Sequence, residues 1–165
     1  MKTKRIGFIA MSGVRAHNPE LTALGLTLPG FVDRNKIIAS LPSLGLLTLA
    51  GLTPANYEVA YHEIADLKDL PELPLDFDLV AISTFTAQFY EACEVADFYL
   101  SRQIPVVMGG ITVSSLSEQT KAHCTSVVIG EGEACWPELL ADFERGSLKP
   151  FYHARKEFNL AEAPT

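Results

Sequence analysis

Apolar residues along this chain gather in short runs separated by Gly, Pro and polar clusters, and the runs differ in period. Ile6-Gly-Phe-Ile-Ala-Met11 is a short apolar run without helical length, which predicts a strand buried on both faces. Tyr57-Glu-Val-Ala-Tyr-His-Glu63 alternates, as a strand with one wetter face does. Asp78–Ser83, Ile104–Gly109 and Thr125–Gly130 predict three further buried strands. Between them, Phe89, Cys93, Ala96 and Leu100 recur at three and four residues, predicting an amphipathic helix over 87–102. Helices are also predicted over 43–52, apolar nearly all round and therefore expected to be buried, over 114–123, and over 135–145 with Pro137 in its first turn and Gly146 as its cap.

Strands alternating with helices predict a doubly wound, mainly parallel five-stranded sheet, a Rossmann-like or flavodoxin-like α/β fold. Residues 149–155 offer an additional edge strand. The expected organisation is one domain over 1–148, then an edge strand and linker over 149–165. Residues 12–42 carry scattered Gly and Pro with weak periodicity, and a connection of that length predicts a lid or binding loop.

Composition narrows the function classes. With 165 residues and 48% apolar content the chain is long enough for one sizeable core. No apolar run approaches the ~20 residues of a membrane-spanning helix, and Ile6–Met11 is too short for a signal-peptide core. A soluble cytoplasmic protein is expected. The formal charge of −7 disfavours nucleic acid and anionic membrane as partners. Three widely spaced cysteines, Cys93, Cys124 and Cys135, fit buried reduced thiols better than a disulfide framework.

In open parallel sheets, ligands bind beyond the carboxyl ends of the strands, so the loops after the strands are where chemistry is sought. Ser83, Thr84 and Thr86 offer hydroxyls without charge, suited to amide-rich, uncharged groups. Gly109 and Gly110 would let a large planar ligand rest against backbone, with Thr112 and Ser114 in reach; turn geometry and helix capping explain the same residues equally well. Gly130-Glu-Gly-Glu133 is rejected as a dinucleotide fingerprint. It follows the fifth strand, has Cys135 where the third glycine belongs, and its carboxylates would repel a pyrophosphate. Glu131 and Glu133 are expected to answer free amides at the next helix start, with Trp136 packing that helix on the sheet. Ser83 and Thr84 stand where a phosphorelay receiver needs an Asp, Ser12–His17 is a poor flavodoxin phosphate loop, and no Walker-type phosphate cradle occurs.

Taken together, Leu41-Pro-Ser-Leu-Gly-Leu-Leu-Thr-Leu-Ala50, Asp78–Ser83, Val106-Val-Met-Gly-Gly110 and Val128-Ile-Gly-Glu-Gly-Glu133 resemble the N-terminal cobalamin-binding domain of radical S-adenosylmethionine enzymes, over about residues 4–147. The resemblance implies a corrin ring over the carboxyl ends of the strands, with its nucleotide tail in a slot beside the sheet. It implies that Ser83, Thr84 and Thr86 contact the tail or the corrin amides, that Gly109, Gly110 and Thr112 border the slot, that Gly130, Glu131 and Gly132 close it, and that Leu44 and Gly45 lie near the ring edge.

Two departures qualify that expectation. Cobalamin-dependent mutases carry Asp-x-His-x-x-Gly after the first strand, whereas here His17 stands with Arg15 for the Asp and Glu20 for the Gly, leaving His17 a weak candidate cobalt ligand. The Cys-x-x-x-Cys-x-x-Cys motif that holds an iron–sulfur cluster is absent, so S-adenosylmethionine and the cluster are expected in a downstream radical domain. The chain is therefore expected to position cobalamin for a methyltransferase or related enzyme without being complete alone. A ligand-free scaffold or protein-interaction domain, and more remotely a flavin or small-metabolite binder, are the competing readings.

Overall fold

The computed structural model describes residues 3–11, 42–64, 67–155, 157–159 and 161. Six strands form one sheet: β1 (Lys4–Met11), β2 (Tyr57–Ile64), β3 (Leu79–Ser83), β4 (Val106–Gly109), β5 (Ser126–Ile129) and β6 (Phe151–His153), in the order β2-β1-β3-β4-β5-β6. Every neighbouring pair is parallel. The expected doubly wound parallel sheet is present. It is one strand wider than the count of five, because the optional edge segment pairs with β5 through Val127–Phe151 and Ile129–His153. Strand order reverses between β1 and β3, the switch point of this architecture.

Among the described residues five α-helices connect the strands: α1 (Leu44–Leu52), α2 (Phe89–Leu100), α3 (Ile111–Ser115), α4 (Ser117–Lys121) and α5 (Gly132–Glu144). Alternation along the strands divides the core in two. On one face Ile9, Val80, Ile82, Val106, Met108 and Val127 pack with Phe89, Cys93, Ala96 and Tyr99 of α2. On the other, Ile6, Phe8, Ala81, Val107 and Val128 pack with Leu46 of α1 and with Trp136, Leu139 and Leu140 of α5.

Several local expectations are corrected. The helix expected over 114–123 is two short helices that break at Leu116. The helix expected from Cys135 begins at Gly132, so Pro137 lies beyond the first turn and supplies no N–H for the Glu133 carbonyl. Gly146, at φ 67°, does end that helix, with its N–H on the Phe143 carbonyl at 3.0 Å. The helix over 43–52 was expected to be buried all round, yet Leu46 is its one buried residue and Leu44 is 76% exposed. An apolar sequence reports what a helix can bury, and among the described residues α5 and the sheet cover it. The expected lid at 12–42 lies almost wholly outside the described residues, as does His17.

The last crossover breaks the symmetry of the fold. α1 and α5 cover the same face, but the chain moves leftward in the sheet from β1 to β2 and rightward from β5 to β6. The β5–α5–β6 connection therefore has the opposite hand to the first one, against the strong preference for right-handed crossovers. A polar tether holds the short β6 in place: Tyr152 Oη donates to buried Asp142 at 2.8 Å, and Arg145 and Lys149 ion-pair with the same carboxylate.

Candidate functional site

A cleft of about 160 Å³ opens at the carboxyl end of the sheet, between α1 and α5. Its floor is the sheet itself, where small side chains face this side near the strand ends: Ala81 and Ser83 on β3, Val107 then Gly109 on β4, Val128 then Gly130 after β5. Ser83 and Gly109 are register partners, so a hydroxyl and a bare backbone position lie side by side. One wall is Gly45, Leu46 and Leu49 of α1; the other is Gly132, Glu133 and Trp136 of α5.

Both walls are anchored. Ser43 caps α1, accepting from the Leu46 N–H at 3.5 Å, while its own N–H donates to Tyr61 Oη of β2 at 2.8 Å and that hydroxyl donates to Glu63 at 3.0 Å. Burial and the Glu63 carboxylate both raise the Tyr61 pKa, so the phenol stays protonated and able to donate. On the opposite wall Trp136 is buried, its ring 5.6 Å from Phe8, and its Nε1–H donates to Thr53 Oγ1 at 2.9 Å. That hydrogen bond ties α5 to the end of α1 and fixes the width of the cleft.

Two glycines, one in a wall and one in the floor, have no partner among the described residues that requires them. A Cβ at Gly45 would meet no atom within 4 Å, and one at Gly109 would make only an ordinary contact with Val128 at 3.5 Å. Glycine inside a helix costs roughly 0.5–1 kcal/mol relative to alanine, so Gly45 keeps space open at a cost that no described contact explains. Gly110 and Gly130 differ. At φ 110° and 86° they hold backbone conformations that L side chains avoid, and a Cβ would come within 3.2 Å of Ser83 Oγ and 3.0 Å of Ala154 Cβ respectively.

Of the residues the sequence singled out, Gly45, Ser83, Gly109, Gly110, Gly130, Glu131 and Gly132 line this cleft together. Leu44, Thr84, Thr86 and Thr112 are not in its lining. Thr84 is buried with its hydroxyl on the Phe85 carbonyl at 3.1 Å, and Thr86 and Thr112 bond each other at 2.9 Å, cross-linking the loops after β3 and β4. Glu131 precedes α5 without a side-chain cap bond; its carboxylate instead accepts from the Phe158 N–H at 2.5 Å. Sequence reading missed Leu46, Leu49, Ala81, Ile82, Val107, Val128, Glu133 and Trp136 as lining. Alternation on the strands, counted back two residues from Ser83, Gly109 and Gly130, would have found Ala81, Val107 and Val128 of the floor.

The polar lining consists of Ser83, Glu131 and Glu133, with no cationic side chain among the described residues. Such a mouth repels multiply charged phosphates. Around it the described surface is apolar: Leu44, Phe85, Tyr90 and Ile111 are all large and exposed, Ile111 at 88%. No group of His, Cys, Asp and Glu among the described residues is arranged to hold a metal ion. The cysteines are buried in separate cores, Cys93 and Cys124 on the α2 face and Cys135 on the α5 face. Burial pushes the Cys93 and Cys124 thiols up to about 11. Among the described residues no helix is long and apolar enough to cross a membrane.

Comparison with known proteins finds no matching family model. The chain is 34% identical over 125 residues to bacteriochlorophyllide d C-8(2)-methyltransferase of Chlorobaculum tepidum, covering 74% of this chain and 26% of that one. It is 31% identical over 111 residues to bacteriochlorophyllide d C-12(1)-methyltransferase of the same organism, covering 67% and 24%. An uncharacterized protein of Methanopyrus kandleri is 32% identical over 112 residues, covering 67% and 21%. This chain is therefore homologous to part of two methyltransferases, and it spans about a quarter of the length of the relatives it matches.

Proposed function

We infer that this domain binds a corrinoid cofactor of the cobalamin type at the carboxyl end of its sheet and serves a methyl-transfer reaction for which further parts of a longer protein are needed. The observation that carries this reading is the space kept at Gly45 and Gly109, a cradle that a Cβ would begin to fill and that no described protein atom uses. The fit is supported by the donor set. Ser83 and the backbone at Gly109, Gly110 and Gly130 would hold an uncharged, amide-bearing ligand, Leu46, Leu49 and Trp136 would pack its apolar part, and the exposed Leu44, Phe85 and Ile111 would shield a ring.

When bound, a corrinoid supplies the methyl-transfer chemistry; the protein orients it and excludes water. No described histidine lines the cleft, so a protein imidazole below cobalt is not part of this proposal. S-adenosylmethionine and an iron–sulfur cluster are assigned to a separate radical domain, because Cys135 is separated from Cys93 and Cys124 by the sheet. The homology to part of two methyltransferases supports methyl transfer as the reaction class.

The test mixes the purified chain with hydroxocobalamin and desalts it. Retained corrin absorbance, with quenching of the single tryptophan, Trp136 in the cleft wall, is the expected result. No retention together with unchanged Trp136 emission would sink the reading in favour of a ligand-free scaffold, and yellow colour or another bound mass would favour a flavin or small metabolite.

A further inference from the structure

The unusual final crossover carries the chain to the outer side of β5, and there it returns to the cleft. Beyond β6 the Ala154 N–H donates to the Ile129 carbonyl at 3.0 Å, and the Ala154 Cβ lies 3.0 Å from where a Cβ on Gly130 would sit. Four residues later the Phe158 N–H is held by Glu131 Oε2. Gly130 and Glu131 are themselves cleft lining, and the Gly130 N–H is bonded on the opposite side by Ser114 Oγ at 3.0 Å. One short loop, 130–132, is thus held from inside by α3 and from outside by the segment leaving the domain.

We propose that Glu131 is a latch that holds Phe158 against the cleft wall, so that the position of that wall and the path of the chain at Phe158 change together. The physical basis is a two-state contact. A carboxylate-to-amide hydrogen bond is charge-assisted and stronger than a neutral one, yet at an exposed site it is weak enough to open locally without unfolding the sheet. The Ala154 N–H bond to the Ile129 carbonyl ties the exit segment to the residue before Gly130, and the missing Cβ of Gly130 leaves room for the Ala154 methyl, so a shift on either side is felt on the other. A ligand that draws the Glu131 carboxylate into the cleft would release Phe158, and a pull on the exit segment would move the wall. The latch itself does not depend on which ligand the cleft takes.

Amide hydrogen exchange, read residue by residue on the full chain by NMR, tests this without any ligand. Glu131→Ala is expected to speed exchange of the Phe158 amide roughly tenfold, with the Gly130 amide accelerating alongside it, while Glu131→Gln, which keeps an acceptor oxygen, restores much of the protection. Ser114→Ala releases the loop from the other side, and reciprocity requires that it accelerate the Phe158 amide as well as that of Gly130. Equal Phe158 exchange in wild type and Glu131→Ala would overturn the latch; acceleration of Gly130 alone in Ser114→Ala would overturn the coupling.

Discussion

Replacing Gly45 separates what the fold needs from what the cleft is for. Gly45 lies in the first turn of α1, and a Cβ there meets nothing within 4 Å. Gly45→Ala should therefore stabilise the protein by up to about 0.5–1 kcal/mol through helix propensity, a rise in Tm of roughly 1–4 °C for a chain of this size. Gly45→Leu keeps the propensity gain but sends a branched side chain into a cleft of about 160 Å³. Crowding of this kind costs about 1–3 kcal/mol, borne by the ligand rather than the fold because no described residue fills the space. Hydroxocobalamin affinity should fall roughly 5- to 150-fold, read by Trp136 quenching, while thermal unfolding by circular dichroism shows no loss. Undiminished binding by Gly45→Leu would refute the cleft as the binding site. A lower Tm in either variant would show that the fold itself uses the glycine.

Three further outcomes follow from the packing. Thr53→Val leaves the buried Trp136 Nε1–H without its acceptor, and should cost about 1–3 kcal/mol in urea unfolding with a shifted Trp136 emission. Asp142 has its pKa lowered chiefly by the Tyr152 hydroxyl, then by Arg145 and Lys149. Its stabilisation is thus complete above the unfolded value of 3.8 and lost as pH falls through the lowered folded value; Asp142→Asn should lower the urea midpoint at pH 7 and flatten its dependence below pH 4. Cys93 and Cys124, buried with thiols pushed up to about 11, should resist a thiol reagent at pH 8 until the protein is unfolded; rapid labelling of either in the native state would contradict the packing around α2.

Much of this was legible because local pattern and global fold agree. Runs such as Leu79–Ile82 and Val106–Met108 are apolar throughout since both faces of a central parallel strand are covered. The spacing of Phe89, Cys93 and Ala96 matches the stripe that α2 buries. Seven of the cleft-lining residues were also marked, because their glycines and Ser83 follow directly on strand ends. Thr84, Thr86 and Thr112 lie outside the cleft lining and bond to the protein itself, since a hydroxyl near a strand end serves a ligand or a neighbouring loop equally well in sequence.

The sequence by itself therefore determined the strand–helix alternation, the parallel sheet and the end of the sheet at which a cleft opens, since each depends on period, turn chemistry and chain direction. Only the tertiary structure decided the sixth strand, the hand of the last crossover, the exposure of α1 and the turning of Glu131 toward Phe158. These depend on contacts between residues far apart in the chain, and such contacts leave no period in the sequence from which they could be read.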